Sequence, residues 1–213
     1  EDGPDKPFLD LYFYNDHEGY VVGSYGYIFR TDDGGVTWKC LMDRVDNPDG
    51  LNIYAIQVVG TTIYLAGEQG LFLVSRDNGD SFKLLETPYE GTYFDIEVLP
   101  SGDIILVGLR GNAFWSADDG ATFNKSDTPE GAASFSDIVL MENGALVFAN
   151  QAGILLQSLD HGRTIYTVDS QRVAPISSIL PMGNNIIMTA GLGGAIRVQL
   201  SLPDVNNKGG GQP

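Results

Sequence analysis

The sequence of 213 residues is poor in basic side chains and cysteine. Lysine and arginine number 12 against 28 aspartates and glutamates, so the formal net charge is −16. Proteins that bind nucleic acids neutralise phosphates with lysine and arginine, and this balance therefore argues against a nucleic-acid partner. The single cysteine, Cys40, excludes an internal disulfide framework and a cysteine-based zinc cluster. No apolar run approaches the roughly 18 residues of a membrane span, so direct membrane insertion is not expected.

Recognisable catalytic and metal-binding patterns are lacking as well. The two histidines, His17 and His161, lie in turn-like segments far apart in the chain. No Ser-His-Asp set, phosphate-binding glycine loop or metal cluster can be traced around them. The sequence therefore predicts no cofactor and no metal ion.

Glycine, in contrast, is abundant, and its 27 residues mark a repeat of about 42 residues. Four segments share the pattern Ser/Thr, any residue, Asp, any residue, Gly, any residue, Ser/Thr, large apolar residue. They begin at Thr31, Ser75, Ser116 and Ser158. Each follows a glycine turn, and a fifth turn at Gly191–Gly194 has no such segment after it. The regular spacing indicates four complete units and one incomplete one.

Each unit contains four short apolar or β-branched runs separated by glycine and polar turns. In the second unit the predicted strands are Ile53–Val59, Ile63–Ala66, Phe72–Ser75 and Phe82–Leu85. Tandem four-stranded units of this length are typical of a β-propeller, in which neighbouring blades bury each other's faces. The sequence thus predicts an all-β propeller over residues 1–202, with blades at about 8–42, 52–87, 93–127, 135–169 and 176–201, and a disordered polar tail at 203–213.

The repeated segment resembles the Asp box, or bacterial neuraminidase repeat, of sialidases, xyloglucanases and related propellers. The longer stretch from Glu18 to Trp38, in which a glycine turn precedes the box, looks most like the photosystem II assembly/stability factor-like family. That resemblance covers about Phe8 to Ser201 and implies a propeller usually described as seven-bladed. It also implies a non-enzymatic, extracytoplasmic (periplasmic or secreted) protein whose partner belongs to an envelope or membrane-associated complex.

Within the box the aspartate is predicted to be structural, because its carboxylate can accept backbone N–H groups across a tight turn. The last residue of each box is predicted to pack between blades. The predicted structural residues are Asp33, Asp77, Asp118 and Asp160, with Trp38, Phe82 and Phe123.

Strand order places the glycine turns and the linkers between blades at one end of the propeller, which we call the top face. The boxes lie at the opposite end. Loops on a rigid scaffold commonly carry binding residues, so the top face is the predicted partner site. Its candidate residues are Tyr25, Glu68, Gln69, Tyr89, Tyr93, Asp95, Arg110 and Gln151.

The alternative is a carbohydrate-binding or sialidase-like glycoside hydrolase propeller. A sialidase needs three converging arginines, but Arg76 and Arg163 fall inside boxes, and Arg30 directly precedes one. Glu68 and Asp95 are the carboxylate pair to test for other glycosidases, which hold two carboxylates roughly 5–10 Å apart.

The fifth unit is predicted to lack its fourth strand, and Glu1–Pro7 resembles a linker between blades. One hypothesis is that the chain is the C-terminal portion of a longer propeller. The alternative is a five-bladed ring closed by the N-terminus. Open blade edges would favour self-association.

Overall fold

The computed structural model describes residues 5–168 and 174–201, so the predicted tail at 203–213 lies outside the described residues. Short hydrogen-bonded strands make up its regular structure, together with four single 3₁₀ turns at Ser24–Gly26, Met42–Arg44, Glu68–Gly70 and Leu109–Gly111. The strands are β1 (Phe8–Phe13), β2 (Gly19–Gly23), β3 (Ile28–Thr31), β4 (Lys39–Cys40), β5 (Ile53–Val59), β6 (Thr62–Gly67), β7 (Phe72–Ser75), β8 (Lys83–Leu84), β9 (Tyr93–Val98), β10 (Ile104–Gly108), β11 (Ala113–Ser116), β12 (Asn124–Lys125), β13 (Phe135–Leu140), β14 (Leu146–Asn150), β15 (Leu155–Ser158), β16 (Tyr166–Thr167), β17 (Ile176–Pro181), β18 (Ile186–Gly191) and β19 (Gly194–Gln199).

These strands form five antiparallel sheets in which each strand pairs with the next along the chain. Four sheets have four strands, and the fifth, β17–β19, has three among the described residues. In the second unit two predicted strands, Ile53–Val59 and Phe72–Ser75, match the observed bounds. The outermost strand is shorter than predicted, at Lys83–Leu84. The predicted propeller of antiparallel blades is confirmed.

The core lies between the blades. The second strands of the third and fourth blades, β10 and β14, are buried along their whole length. Their near-continuous apolar sequences follow from this position, because both faces of these two sheets are covered by a neighbouring blade. Each of four hydrophobic clusters combines residues from two successive blades, and Ile56, Ile96, Ile138 and Ile179 occupy the same strand position in the four clusters.

The first strand of each blade contacts the first strand of the next, from β1 through β5, β9 and β13 to β17. These inner strands place the five blades around a common interior. Large apolar side chains are exposed on the first and last of them: Phe8 (56% exposed) and Leu11 (62%) on β1, and Leu180 (61%) on β17. The equivalent residues of the middle blades are buried or partly buried against their neighbours.

Among the described residues, no helix has both the length and the apolar character required to cross a lipid bilayer.

Candidate functional site

In each Asp box the aspartate carboxylate accepts hydrogen bonds from other residues of the same turn. In the second box Asp77 accepts the hydroxyl of Ser75 at 2.7 Å, and the backbone N–H and hydroxyl of Ser81 at 2.9 and 2.6 Å. The Ser75 hydroxyl in turn accepts the N–H of Gly79 at 2.9 Å. In the other three boxes the aspartate likewise accepts hydrogen bonds from the hydroxyl of the first box residue and from the backbone N–H of the seventh. The box glycine has φ near +85°, a conformation that glycine adopts without steric cost.

These bonds also set the electrostatics of the boxes. Hydrogen bonds, led by the one from the hydroxyl of the seventh box residue, lower the pKa of Asp33, Asp77 and Asp118 to about 2. A carboxylate with such a low pKa is ionised at neutral pH, and its oxygens are occupied by hydrogen bonds within its own hairpin. The box aspartates therefore have the geometry of a structural turn.

The last residue of a box packs against the preceding blade. Phe82 is 3% exposed in the cluster between the first two blades, and Phe123 contacts Phe72 edge-on at 5.4 Å in the next interface. Trp38 differs, because the described residues include no blade before the first. Its ring lies edge to face with Phe13 and is 37% exposed, so the packing of Trp38 between blades stays a prediction.

The variable fourth residue of the box contacts the preceding blade, a role that the sequence interpretation missed. The side-chain oxygen of Asn78 accepts a hydrogen bond from the Tyr14 hydroxyl, and its backbone carbonyl accepts one from the Tyr20 hydroxyl. Asp119 pairs with Arg76 at 2.6 Å, and His161 Nδ1 lies 2.5 Å from Asp103 Oδ2. These three residues have φ near +60°. The sequence signal was the enrichment of this position in Asn, Asp and His, which tolerate the left-handed region.

On the top face, three glycine turns hold a residue other than glycine in the left-handed region. Tyr25, Gln69 and Arg110 have φ values of 59°, 53° and 58°, and all three are exposed. Two of these residues are anchored to the next linker through their own backbone: the N–H of Tyr25 donates to Asn52 Oδ1 at 2.7 Å, and that of Arg110 to Ser134 Oγ at 3.0 Å. The Gln69 turn is anchored through its neighbour, because the N–H of Gly70 donates to the Gly91 carbonyl at 2.7 Å. The turns therefore present these side chains from fixed positions.

Several other predicted top-face residues are engaged within the fold. Glu68 accepts the backbone N–H and the side-chain amide of Asn52, both at 3.0 Å. Tyr89 donates its hydroxyl to the Leu109 carbonyl at 3.0 Å. Tyr93 is fully buried between the second and third blades, so its prediction as a surface contact is wrong. Its inward position follows from the preceding linker, whose Tyr89 ring covers it at 5.5 Å.

A cavity of about 450 Å³ opens where the inner strands begin, at the top face. It brings together two of the predicted residues, Asp95 and Gln151, but not Glu68. The lining is acidic, aromatic and hydroxylic, and its residues are Leu9, Asp10, Tyr54, Phe94, Asp95, Ser136, Asp137, Gln151, Ile176, Ser177 and Ser178.

Three of these, Asp10, Asp95 and Asp137, link one blade to the next. Each occupies the third position of its inner strand, at a β-bulge, and accepts a backbone N–H from the following blade. The N–H of Ile56 donates to Asp10 at 2.8 Å, that of Ile138 to Asp95 at 2.8 Å, and that of Ile179 to Asp137 at 2.6 Å. We call these residues the interblade aspartates.

The second blade has Ala55 at the equivalent position and so has no interblade aspartate. The N–H of Ile96, which such a residue would bind, donates to the carboxylate of its own neighbour, Asp95, at 2.8 Å. The sequence interpretation missed Asp10 and Asp137. An aromatic residue, any residue, Asp and then Leu or Ile recurs at the start of three inner strands, and that pattern was the available signal.

The interblade aspartates also influence one another electrostatically. Burial raises the pKa of Asp10, and the nearby charge of Asp137 adds to the effect. Burial, followed by the charge of Asp137 and a hydrogen bond with it, raises the pKa of Asp95 well above its ordinary value. No lysine, arginine or histidine is among the lining residues that the structure describes. The lining therefore supplies no cation for its carboxylates, and the raised pKa of Asp95 favours the neutral form of that one carboxyl.

Comparisons with known proteins agree with this architecture. The family described as "Photosynthesis system II assembly factor YCF48" matches residues 3–91. The Photosystem II assembly lipoprotein Ycf48 of Synechococcus sp. (strain CC9902) is 30% identical over 185 residues, which are 83% of this chain and 54% of that protein. The chain thus spans about half the length of this relative.

Two solved structures illustrate the shared fold. "YCF48 bound to D1 peptide" matches with a TM-score of 0.66 and 16% identity over 88% of this chain and 64% of that one. A xyloglucanase from Xanthomonas campestris matches with a TM-score of 0.68 and 18% identity over 92% of this chain and 34% of that one. At such identities the likeness shows the fold alone.

The blades and their boxed hairpins define the chain as an Asp-box β-propeller. Its predicted relationship to the photosystem II assembly factor-like family is confirmed by the family match and by the assembly lipoprotein relative.

Proposed function

We propose that this propeller binds a protein and assists the assembly of a membrane-associated complex, without catalytic turnover of its own. The observation that carries the proposal is the 30% identity to a photosystem II assembly lipoprotein over 83% of the chain. The solved YCF48 propeller bound to a D1 peptide offers a precedent for a polypeptide ligand on this fold. The lipoprotein relative likewise favours an extracytoplasmic location.

The geometry of the top face supports a binding role. Tyr25, Gln69 and Arg110 lie in left-handed turns that their sequence does not favour, and strained, exposed backbone is typical of recognition sites. Their anchoring to linker residues lowers the entropy that a flexible loop would lose on binding. We assign these three side chains, together with Gln151, to the contact surface for the partner.

A glycoside hydrolase role has less support. The carboxylate of Glu68 is bonded to Asn52, and Asp95 is bonded to two backbone N–H groups. A general acid and its companion carboxylate must reach the glycosidic oxygen and a water or anomeric carbon. The cavity that Asp95 lines does not include Glu68, so the two carboxylates do not face a common site.

The experiment that tests the proposal follows the chain in its own host. A tagged chain should cofractionate on native gels with an assembly intermediate of a membrane complex, and loss of the chain should reduce accumulation of that complex. Purified protein should release no product from xyloglucan or a fluorogenic sialoside. Hydrolysis that is abolished by Glu68→Gln would overturn the proposal in favour of the glycosidase.

A further inference from the structure

We propose that the cavity at the start of the inner strands binds the guanidinium group of an arginine side chain that projects from a partner polypeptide. That the ligand is a polypeptide rests on the proposed function. The chemistry of the group bound rests on the cavity itself.

Charge gives the first reason. Asp10, Asp95 and Asp137 line the cavity, and the described lining contains no basic side chain to pair with them. Asp95 is buried against Asp137, so Asp10 and Asp137 are the carboxylates that a cation would meet in their charged form. Their backbone hydrogen bonds hold the carboxylates in place, so they cannot turn away to solvent. A cation that enters therefore meets oxygens that are already oriented, and loses little energy to rearrangement.

The size and spacing of the site favour an organic cation. A volume of about 450 Å³ corresponds to about fifteen liquid waters, which is room for a long side chain. Among the described residues, no three His, Cys, Asp or Glu side chains are grouped closely enough to ligate one metal ion. A guanidinium group presents five N–H donors in a plane and can reach carboxylates that are too far apart for a single ion.

The aromatic wall distinguishes arginine from lysine. Tyr54 and Phe94 lie on the inner strands of adjacent blades, with their rings edge to face and their centroids 5.2 Å apart. An arginine can stack its flat, weakly hydrated head on an aromatic face while it donates to carboxylates, whereas the compact lysine ammonium loses more hydration on entry.

The hydroxyl groups complete the site. Ser136 Oγ is shielded from solvent and has no hydrogen-bond partner among the described residues, and Ser136 lines the cavity. A buried hydroxyl without a partner carries a desolvation cost that a ligand donor can remove. The nearby Ser178 hydroxyl is already used, since it donates to Asp137 at 2.7 Å.

The test uses the peptide acetyl-Gly-Arg-Gly-amide as its probe, with the same peptide carrying citrulline as a matched control of nearly equal shape and no charge. In ¹H–¹⁵N NMR titrations at low salt, we expect the arginine peptide to shift the amides of Ile56, Ile138 and Ile179, which donate to the interblade aspartates. The citrulline peptide should leave them in place. Equal shifts with both peptides, or arginine-dependent shifts confined to the outer surface, would overturn the proposal.

Variants provide a second readout. Asp137→Asn should weaken binding of the arginine peptide about tenfold, the factor expected for loss of one charge-assisted hydrogen bond. Asp16→Asn, which removes an exposed carboxylate from a hairpin turn at the opposite end, should leave it unchanged. If Asp137→Asn does not fold, Tyr54→Leu keeps all three carboxylates and should weaken binding through the lost aromatic face. Unaltered affinity in the folded variants would contradict the assignment.

The outcome for the cavity is separable from that for the proposed function. Cofractionation with a membrane complex but no response to the arginine peptide would refute only the cavity site. Binding of the arginine peptide without cofractionation would leave the cavity site standing and refute the assembly role.

Discussion

The interblade aspartates predict a specific loss of stability when one of them is removed. Asp137 Oδ2 accepts the N–H of Ile179 at 2.6 Å and the hydroxyl of Ser178 at 2.7 Å, and both donors belong to the next blade. Asp137→Ala removes both bonds at once. Hydrogen bonds to a charged group contribute roughly 1.5–3 kcal/mol each. Here the two bonds share one acceptor oxygen beside an open cavity, so water can replace part of what is lost.

We therefore expect Asp137→Ala to lower the free energy of unfolding by about 2–3 kcal/mol. For a domain of this size each kcal/mol corresponds to roughly 2–4 °C in Tm, so the Tm should fall by about 4–12 °C. Thermal and urea unfolding followed by circular dichroism measure the effect. Asp16→Ala, in an exposed turn, is the matched control and should unfold like the parent protein.

Amide hydrogen exchange locates the effect within the chain. Exchange of the Ile179 amide should accelerate in Asp137→Ala, whereas the Ile138 amide, which donates to Asp95, should keep its protection. A Tm within 1 °C of the parent value, or equal acceleration at both amides, would refute the idea that each interblade aspartate fastens one particular pair of blades.

Other predictions concern the boxes and the exposed blade faces. The pKa of Asp77 is lowered from 3.8 to about 2, so its stabilising contribution is present above pH 3.8 and is lost as the pH falls towards 2. Ser81→Ala removes the hydroxyl that donates to Asp77, so it should raise the pKa of Asp77 in a carbon-detected NMR titration. An unchanged pKa would contradict the role of this hydrogen bond. Phe82→Ala should cost about 3–5 kcal/mol in urea unfolding, against about 1 kcal/mol for Trp38→Ala, because only the former ring is buried between blades. We expect concentration-dependent self-association through the exposed face of β1, reduced by Leu11→Asp; a monodisperse parent monomer in light scattering at high concentration would count against it.

Much of the fold was predictable because its determinants are local. The Ser-x-Asp-x-Gly-x-Thr pattern encodes a hairpin whose bonds all lie within seven residues, as the contacts of Asp77 illustrate. The alternation of short apolar runs with glycine turns likewise predicted strands such as Phe72–Ser75 without reference to neighbours. These features repeat in every complete unit, and repetition made them visible.

The candidate site was predictable only in part. Asp95 and Gln151 were placed at the top face from strand order alone, and both line the cavity. Asp10 and Asp137 were missed because their importance comes from a backbone N–H some 40 residues away on the next blade. Tyr93 looked like a linker aromatic, yet the preceding blade and Tyr89 cover it completely.

The sequence by itself determined the repeat, the boxed hairpins and the strand order, because each depends on hydrogen bonds and backbone preferences between residues close along the chain. Only the tertiary structure decided which equivalent positions are buried and which carboxylates meet. Phe82 and Trp38 end the same motif, but Phe82 is buried against the first blade and Trp38 is 37% exposed. The physical reason is that the burial of a side chain and the distance between two charges depend on the neighbouring blade. A local sequence pattern does not encode the position of that blade.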